Sequence, residues 1–249
     1  MTDPSIAPRS STPVSALRTT LRRILPASVR RKALHQTVGR LRRRRLLPLS
    51  NNFGFDRGQP IDRYYIDRFI KRHREDIRGR VLEVGDRNYT LRWSDAVEES
   101  DVLDVPTGNP EATFVDDLAV GDTLPGDTFD CVILTQTLQY IYDMPAAVAT
   151  LRRILKPGGV ALVTVPAIAP LIDHDWNVPV YYSLTRQLCE KMFGDAFPGC
   201  PVDVATHGNV LIASEFLYGR ASEELSRDLL DFQDDRFPIL VTVKVRKPV

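Results

Sequence analysis

Cysteine is scarce in this chain, with three residues, Cys131, Cys189 and Cys200, among 249. They lie far apart and form no Cys-x-x-Cys pair, which argues against a zinc site and against a disulfide framework. Cys131 sits inside an apolar run and is expected in the core. Long hydrophobic runs are missing too. The most apolar stretch, Gly159 to Ile172, is broken by Thr164, Pro166 and Pro170, so no window of roughly 18 apolar residues can span a bilayer. The first twenty residues lack an apolar block followed by a small-residue cleavage site, which argues against a secretory signal. The expectation is a cytoplasmic protein with no metal site. No internal repeat is visible.

What is present suffices for a full core: 43% of the residues are apolar and 26% charged, the profile of one domain with extensions. The net charge of +1 hides a division along the chain. Residues 1–47 hold twelve of the 33 basic residues and one of the 32 acidic ones, Asp3, a net of +11 that leaves −10 on the remainder. Residues 1–14 are rich in Pro, Ser and Thr and read as a disordered lead. Over 15–50 the spacing predicts two short basic amphipathic helices, Leu17, Leu21, Ile24 and Leu25 on one face, then Leu34, Val38 and Leu41. Three accounts stand for this extension: a solvated segment, an arm on an anionic membrane surface, or a contact to nucleic-acid phosphate. The acidic remainder, with no aromatic-basic interleaving, disfavours nucleic acid. The opposite charges also permit the arm to fold onto its own domain or onto a second copy in a homodimer. A polar break at Ser50, Asn51 and Asn52 leads into Gly54 to Pro60, which reads as a linker to a domain over 51–249.

After Pro60, Ile61, Tyr64, Tyr65, Phe69 and Ile70 recur at helical spacing. Strands are then expected at Arg80–Gly85, Ser100–Val105, Ala112–Val115, Phe129–Thr135 and Val160–Val165, with a helix from Met144 to Leu155 stopped by Lys156, Pro157, Gly158 and Gly159. Cys200–Thr206 and Pro238–Arg246 are two further β-rich runs. This alternation implies an α/β fold, a doubly wound, Rossmann-like, mostly parallel sheet with a basic helical N-terminal extension. Ligands of such sheets bind at the carboxyl ends of the strands, near the switch in strand order. There the first strand ends at Glu83, Val84, Gly85 and Asp86. The second ends at Asp104 and Val105, 21 residues after Glu83, the separation at which an acid can reach a ribose diol. The third leads into Asp116, Asp117 and Leu118, where a carboxylate can take an exocyclic amine, and the fourth ends at Thr135 and Gln136 on the cleft floor.

Val81–Gly85, Asp104, Val115–Leu118, Phe129–Leu134 and Leu155–Gly159 together resemble the class I S-adenosylmethionine-dependent methyltransferases, most closely the bacterial methyltransferase-domain group called type 11. The likeness covers about Gly58 to Val165. It implies S-adenosylmethionine as cofactor, with Glu83, Gly85 and Asp86 toward its methionine part, Asp104 on the ribose and Asp117 on the adenine. Val84, Val105, Asp116, Leu118, Thr135 and Gln136 would complete the binding site, and Gln59 to Tyr65, with Tyr64, would close over it. One departure stands out. The family's Gly-x-Gly-x-Gly turn is reduced to Gly85, followed by Asp86, Asn88 and Tyr89, residues of which Asn and Asp tolerate left-handed backbone. Asp86 would also repel a pyrophosphate, which disfavours a dinucleotide site.

The family's acceptor side is the loop after strand five. Trp176, Tyr181 and Tyr182 are candidates there for binding a small-molecule, natural-product or sugar acceptor, and His174 for a general base, beside Asp175. His207 is a second candidate base. The resemblance implies O-methylation. The alternative reading, prompted by the missing glycines, is a non-catalytic cofactor-binding or partner-binding relative; nucleic-acid methylation is a third.

Overall fold

The computed structural model describes residues 46–105, 108–171 and 179–249. The basic extension lies outside these residues except for 46–50, which form bends. Among the described residues no helix is long and apolar enough to cross a membrane.

Seven strands form one sheet: β1 (Gly79–Val84), β2 (Val97–Asp104), β3 (Phe114–Val115), β4 (Phe129–Thr135), β5 (Leu155–Pro166), β6 (Val202–His207) and β7 (Leu240–Arg246), in the order β3-β2-β1-β4-β5-β7-β6. β1 to β5 pair in parallel, whereas β7 runs antiparallel to both β5 and β6. The chain winds outward from β1 through β2 to β3 and then crosses to β4 on the other side of β1, which sets the switch point between β1 and β4.

Period-two alternation buries both faces. In β4, Val132 and Leu134 join a cluster with Leu82, Val163 and Val243, covered by helices α3 (Met144–Ile154) and α4 (Arg186–Ala196). Cys131 and Ile133 face the opposite cluster with Val81 and Leu162, covered by α1 (Ile61–Arg72) and α5 (Val210–Leu217), with Leu230 of the short α6 (Arg227–Asp231). Burial pushes the Cys131 thiol far above its ordinary value, consistent with a packing role. Before α3, a one-turn 3-10 helix, Leu138–Tyr140, follows β4. A further helix, α2 (Asn88–Trp93), directly follows the turn after β1.

Local signals set the helix ends. Pro60 precedes α1, whose buried side is Ile61, Tyr65, Ile66, Phe69 and Ile70, with Asp62 in the first turn and Lys71 and Arg72 in the last. Asp143 caps α3 by accepting from Ala146 N at 3.1 Å, and Asn209 caps α5 by accepting from Leu211 N and Ile212 N. Two expectations are corrected. α3 does end at Ile154, before Lys156 to Gly159, but the strand does not wait for Val160; β5 begins at Leu155, pairs there with Phe129 and shifts register before Val160 meets Cys131. Gly159 lies so close to β4 that an added Cβ would sit 2.9 Å from Phe129 O, which explains the glycine. Nor does Gly54–Pro60 hang as a linker. Leu49 N donates to Tyr218 O at 2.7 Å, Ser222 N to Gln59 O at 2.7 Å, Pro60 bridges Ala221, and Arg57 pairs with Glu224. That last pair, with the Ala221 N–H, holds the Glu224 carboxyl down to about 2.

Candidate cofactor cleft and acceptor cavity

The turn after β1 is built from one glycine and two acids. Gly85 has φ +88°, a value that suits glycine, and its N–H donates to Leu103 O of β2 at 2.9 Å. A Cβ added there would meet nothing within 4 Å, so the space beside the turn is open. Asp86 replaces the missing glycines by accepting from Asn88 N at 2.9 Å and Asn88 Nδ2 at 2.6 Å, an Asx turn that starts α2. Glu83 points into the protein. Its carboxylate accepts from Tyr89 N at 3.1 Å and from Thr90 N and Oγ1, both at 2.8 Å, fastening the start of α2. Burial pushes its carboxyl up to about 7 against those three donors. Glu83 is therefore a scaffold for the turn, where the resemblance had set it toward the methionine part. Val84, beside it, packs against the core on the other face.

The tips of β1 and β2 are joined by a side chain that the sequence reading did not single out. Asn109 Nδ2 donates to Gly85 O at 2.8 Å and to Asp104 Oδ2 at 2.9 Å, while Asp104 Oδ1 accepts from Val105 N at 2.8 Å. Val105 is itself exposed. After β3, Asp116 N donates to Asp104 O at 3.0 Å, so the third tip adjoins the second. The Asp116 carboxylate is committed to Thr123, accepting from its N and Oγ1 at 2.7 Å each; burial opposes its ionisation, and these bonds outweigh that and hold it below the usual range. Asp117 is exposed and accepts from Ala119 N at 2.8 Å, with Leu118 buried beside it. The tips of β1, β2 and β3 that carry Gly85, Asp104 and Asp116 thus lie side by side, with the exposed Asp117 next in the chain.

At the end of β4 the half-buried Thr135 is followed by Gln136, whose φ of +50° is a left-handed backbone for a non-glycine residue. Gln136 N is held by Thr164 O at 2.9 Å, and Gln139 Nε2 donates to Gln136 O at 2.8 Å. Gln136 and Gln139 line a cavity of about 390 Å³ that reaches Pro166 of β5, Asp62 and Arg63 of α1, and Phe53, Phe55 and Phe216. Gly85, Asp104 and Asp117 are not on its wall. Burial raises the Asp62 carboxyl, against the charge of Arg63; burial works against the Arg63 guanidinium as well, and Asp62, Tyr89 and Asp86 more than offset it. Tyr64 does not join them. Its hydroxyl donates to Asp231 Oδ1 at 2.7 Å and accepts from Arg68, which turns the ring toward α6.

Tyr181 and Tyr182 stand close to the cavity. Tyr181 N donates to Gln139 O at 2.9 Å, and Val180 is on the wall. Together with Tyr142 they make a cluster: Tyr142 and Tyr181 pack edge to face at 5.3 Å, and Tyr182 Oη donates to Tyr142 O at 3.0 Å. Tyr142 was not a sequence candidate; it is 73% exposed. His174, Asp175 and Trp176 lie outside the described residues. His207 is not on the cavity wall. Its ring stacks on Tyr65 at 5.6 Å, Nε2 is 3.0 Å from Thr242 Oγ1, and burial lowers it to about 4, which gives it a packing role and corrects its reading as a base near neutral pH.

A family profile described as a methyltransferase domain matches residues 52–197. No curated protein matches the chain. Among solved structures, a proposed sarcosine dimethylglycine methyltransferase from Galdieria sulphuraria shares 14% identity over 74% of this chain and 86% of its own, with a TM-score of 0.51. A SAM-dependent methyltransferase from Archaeoglobus fulgidus shares 14% identity over 74% of this chain and 94% of its own, with a TM-score of 0.49. A methyltransferase in complex with the Haloferax volcanii Trm112 methyltransferase activator shares 18% identity over 76% and 94%, with a TM-score of 0.47.

Proposed function

The chain belongs to the methyltransferase-domain family, and from that membership we propose that it transfers a methyl group from S-adenosylmethionine to an oxygen of a small-molecule, natural-product or sugar acceptor. The observation that carries this reading is the open space beside Gly85, whose turn is tied through Asn109 to Asp104. The residues fit the cofactor. Gly85 leaves the space that a Cβ would take, Asp104 at the tip of β2 suits a ribose diol, and the exposed Asp117 with the apolar Leu118 suits an adenine edge. Gln136 lines the cavity and Thr135 precedes it at the end of β4, where both would face the cofactor. The bound cofactor supplies a methyl group already activated on a sulfonium. What remains for the chain is to orient the acceptor, exclude water and receive a proton. The cavity of about 390 Å³ falls in the size range of small-molecule sites, and the tyrosine cluster offers a stacking wall beside it.

Calorimetric titration with S-adenosylhomocysteine tests the cofactor assignment. Asp104→Ala is expected to weaken binding by roughly 1–3 kcal/mol, the range for a lost charge-assisted hydrogen bond. Unchanged affinity in a folded variant would refute the assignment. A second reading, cofactor binding without turnover, is favoured by one observation: Asp86 and Asn88 occupy the turn where glycines are usual. Methyl incorporation across an acceptor panel separates the two.

A further inference from the structure

Two hydrogen-bond acceptors on the cavity wall have no role in the reading above. Gln139 is 4% exposed, and its side-chain nitrogen is committed to Gln136 O, which fixes the amide's orientation. Its Oε1 is buried with no hydrogen-bond partner among the described residues. Buried acceptors are nearly always paired, so an orphan on a cavity wall marks a place where a ligand's donor completes the site. Asp62 is the second acceptor. It stands in the first turn of α1, and Arg63 N donates to its Oδ1 at 2.9 Å. Most of the remaining wall is apolar, led by Phe53, Phe55 and Phe216.

Resting on the methyl-transfer reading, we propose that Asp62 is the base that takes the acceptor's proton and that Gln139 Oε1 accepts a second hydrogen bond from the same molecule. The acceptor is accordingly a neutral, ring-sized compound with two donor groups, at least one of them a hydroxyl. The hydroxyl proton passes to the Asp62 carboxylate, and the electron pair left on oxygen forms the new bond to the methyl carbon. The pair from the broken carbon–sulfur bond stays on sulfur, leaving a neutral thioether, and Asp62 then returns its proton to water. Burial raises the Asp62 carboxyl above its ordinary range and Arg63 beside it opposes that rise; Arg63 and Tyr89 from α2 are the titratable groups coupled to it.

The test uses the full chain saturated with S-adenosylhomocysteine and titrated with four probes: anisole, which has no donor, phenol, which has one, and catechol and resorcinol, which have two at different separations. Affinity is expected to rise from anisole through phenol to the better diol, at least tenfold in all. Asp62→Ala should erase one step and Gln139→Met the other. With S-adenosylmethionine, Asp62→Asn, which keeps shape but not basicity, should lower kcat for that diol at least 100-fold with KM nearly unchanged, and Asp62→Glu should restore part of it. Equal affinity for all four probes, an intact ladder in Asp62→Ala, or no methylation of either diol overturns the proposal. Failure of the unaltered chain to bind S-adenosylhomocysteine before any probe is added is a distinct result that overturns the methyl-transfer reading itself.

Discussion

Asn109 Nδ2 stands 2.9 Å from Asp104 Oδ2, and the same nitrogen is 2.8 Å from Gly85 O. One amide therefore ties the tips of β1 and β2 together and fixes the Asp104 carboxylate, whose other oxygen accepts from Val105 N. Removing it should cost binding more than folding. Asn109→Ala is expected to weaken S-adenosylhomocysteine binding by about 1 kcal/mol, the usual worth of a hydrogen bond, with the unfolding midpoint little changed. Calorimetry and a urea melt on the same preparation check this, and an unaltered affinity would remove Asn109 from the site.

Gly85 and Gly79 provide a contrast within one strand and its turn. Both have positive φ, +88° and +64°, so alanine at either should cost about 1–2 kcal/mol of stability through backbone strain. Their surroundings differ. A Cβ at Gly79 would run into the Asp130 carboxylate, which accepts from Arg80 N and Lys156 Nζ, whereas a Cβ at Gly85 enters empty space. Gly79→Ala is expected to lower stability further and leave ligand affinity unchanged, and Gly85→Ala to weaken affinity well beyond its effect on stability. The reverse pattern would mean that the open space beside Gly85 is not where the cofactor binds.

Glu83 predicts a pH dependence of folding. Its carboxyl is raised from 4.5 to about 7 by burial. An acid whose folded pKa exceeds its unfolded value contributes its stability fully below the unfolded value, and loses it as pH rises through the folded one. Between pH 4.5 and about 7 the chain should therefore lose up to roughly 3 kcal/mol from this group, at about 1.4 kcal/mol per unit. Glu83→Gln should lack that step while being less stable throughout, because an amide nitrogen cannot accept from the Tyr89 and Thr90 donors. Denaturant melts across this range measure the slope; the same slope in variant and parent would assign the titration elsewhere.

The sheet was legible because its strands are apolar runs bounded by turn residues. β4 at Phe129–Thr135 is where the sequence puts it, and β1 is displaced by one residue. Asp104 could be found by spacing alone, since the length of one β-α-β unit sets its distance from β1. Asn109 could not, because its role depends on the reach of a side chain across two strand tips. Tyr64, Asp62 and Arg63 show another limit. Helical periodicity says that they are neighbours on α1, but which of them meets the cavity is decided by Asp231, far along the chain, which captures the Tyr64 hydroxyl. The cavity wall gathers Phe53, Asp62, Gln139 and Phe216 from four separate segments, and no local pattern links them. Lys156 to Gly159 reads as a helix stop by composition, yet the close approach of Gly159 to β4 draws the segment into the sheet.

The clasp between residues 49–60 and 218–224 constrains when the cavity can close during synthesis. The front wall of the cavity leaves the ribosome early, but the groups that fasten it, from Tyr218 O to Glu224, lie as much as 169 positions downstream of their partners, the separation of Tyr218 from Leu49. A nascent chain lacking them can wind β1 to β5 while the fastenings of Pro60 and the residues before it are still missing. The front of the cavity is therefore secured only once residue 224 has been translated, and a product interrupted before it would be folded in its centre with that wall unfastened.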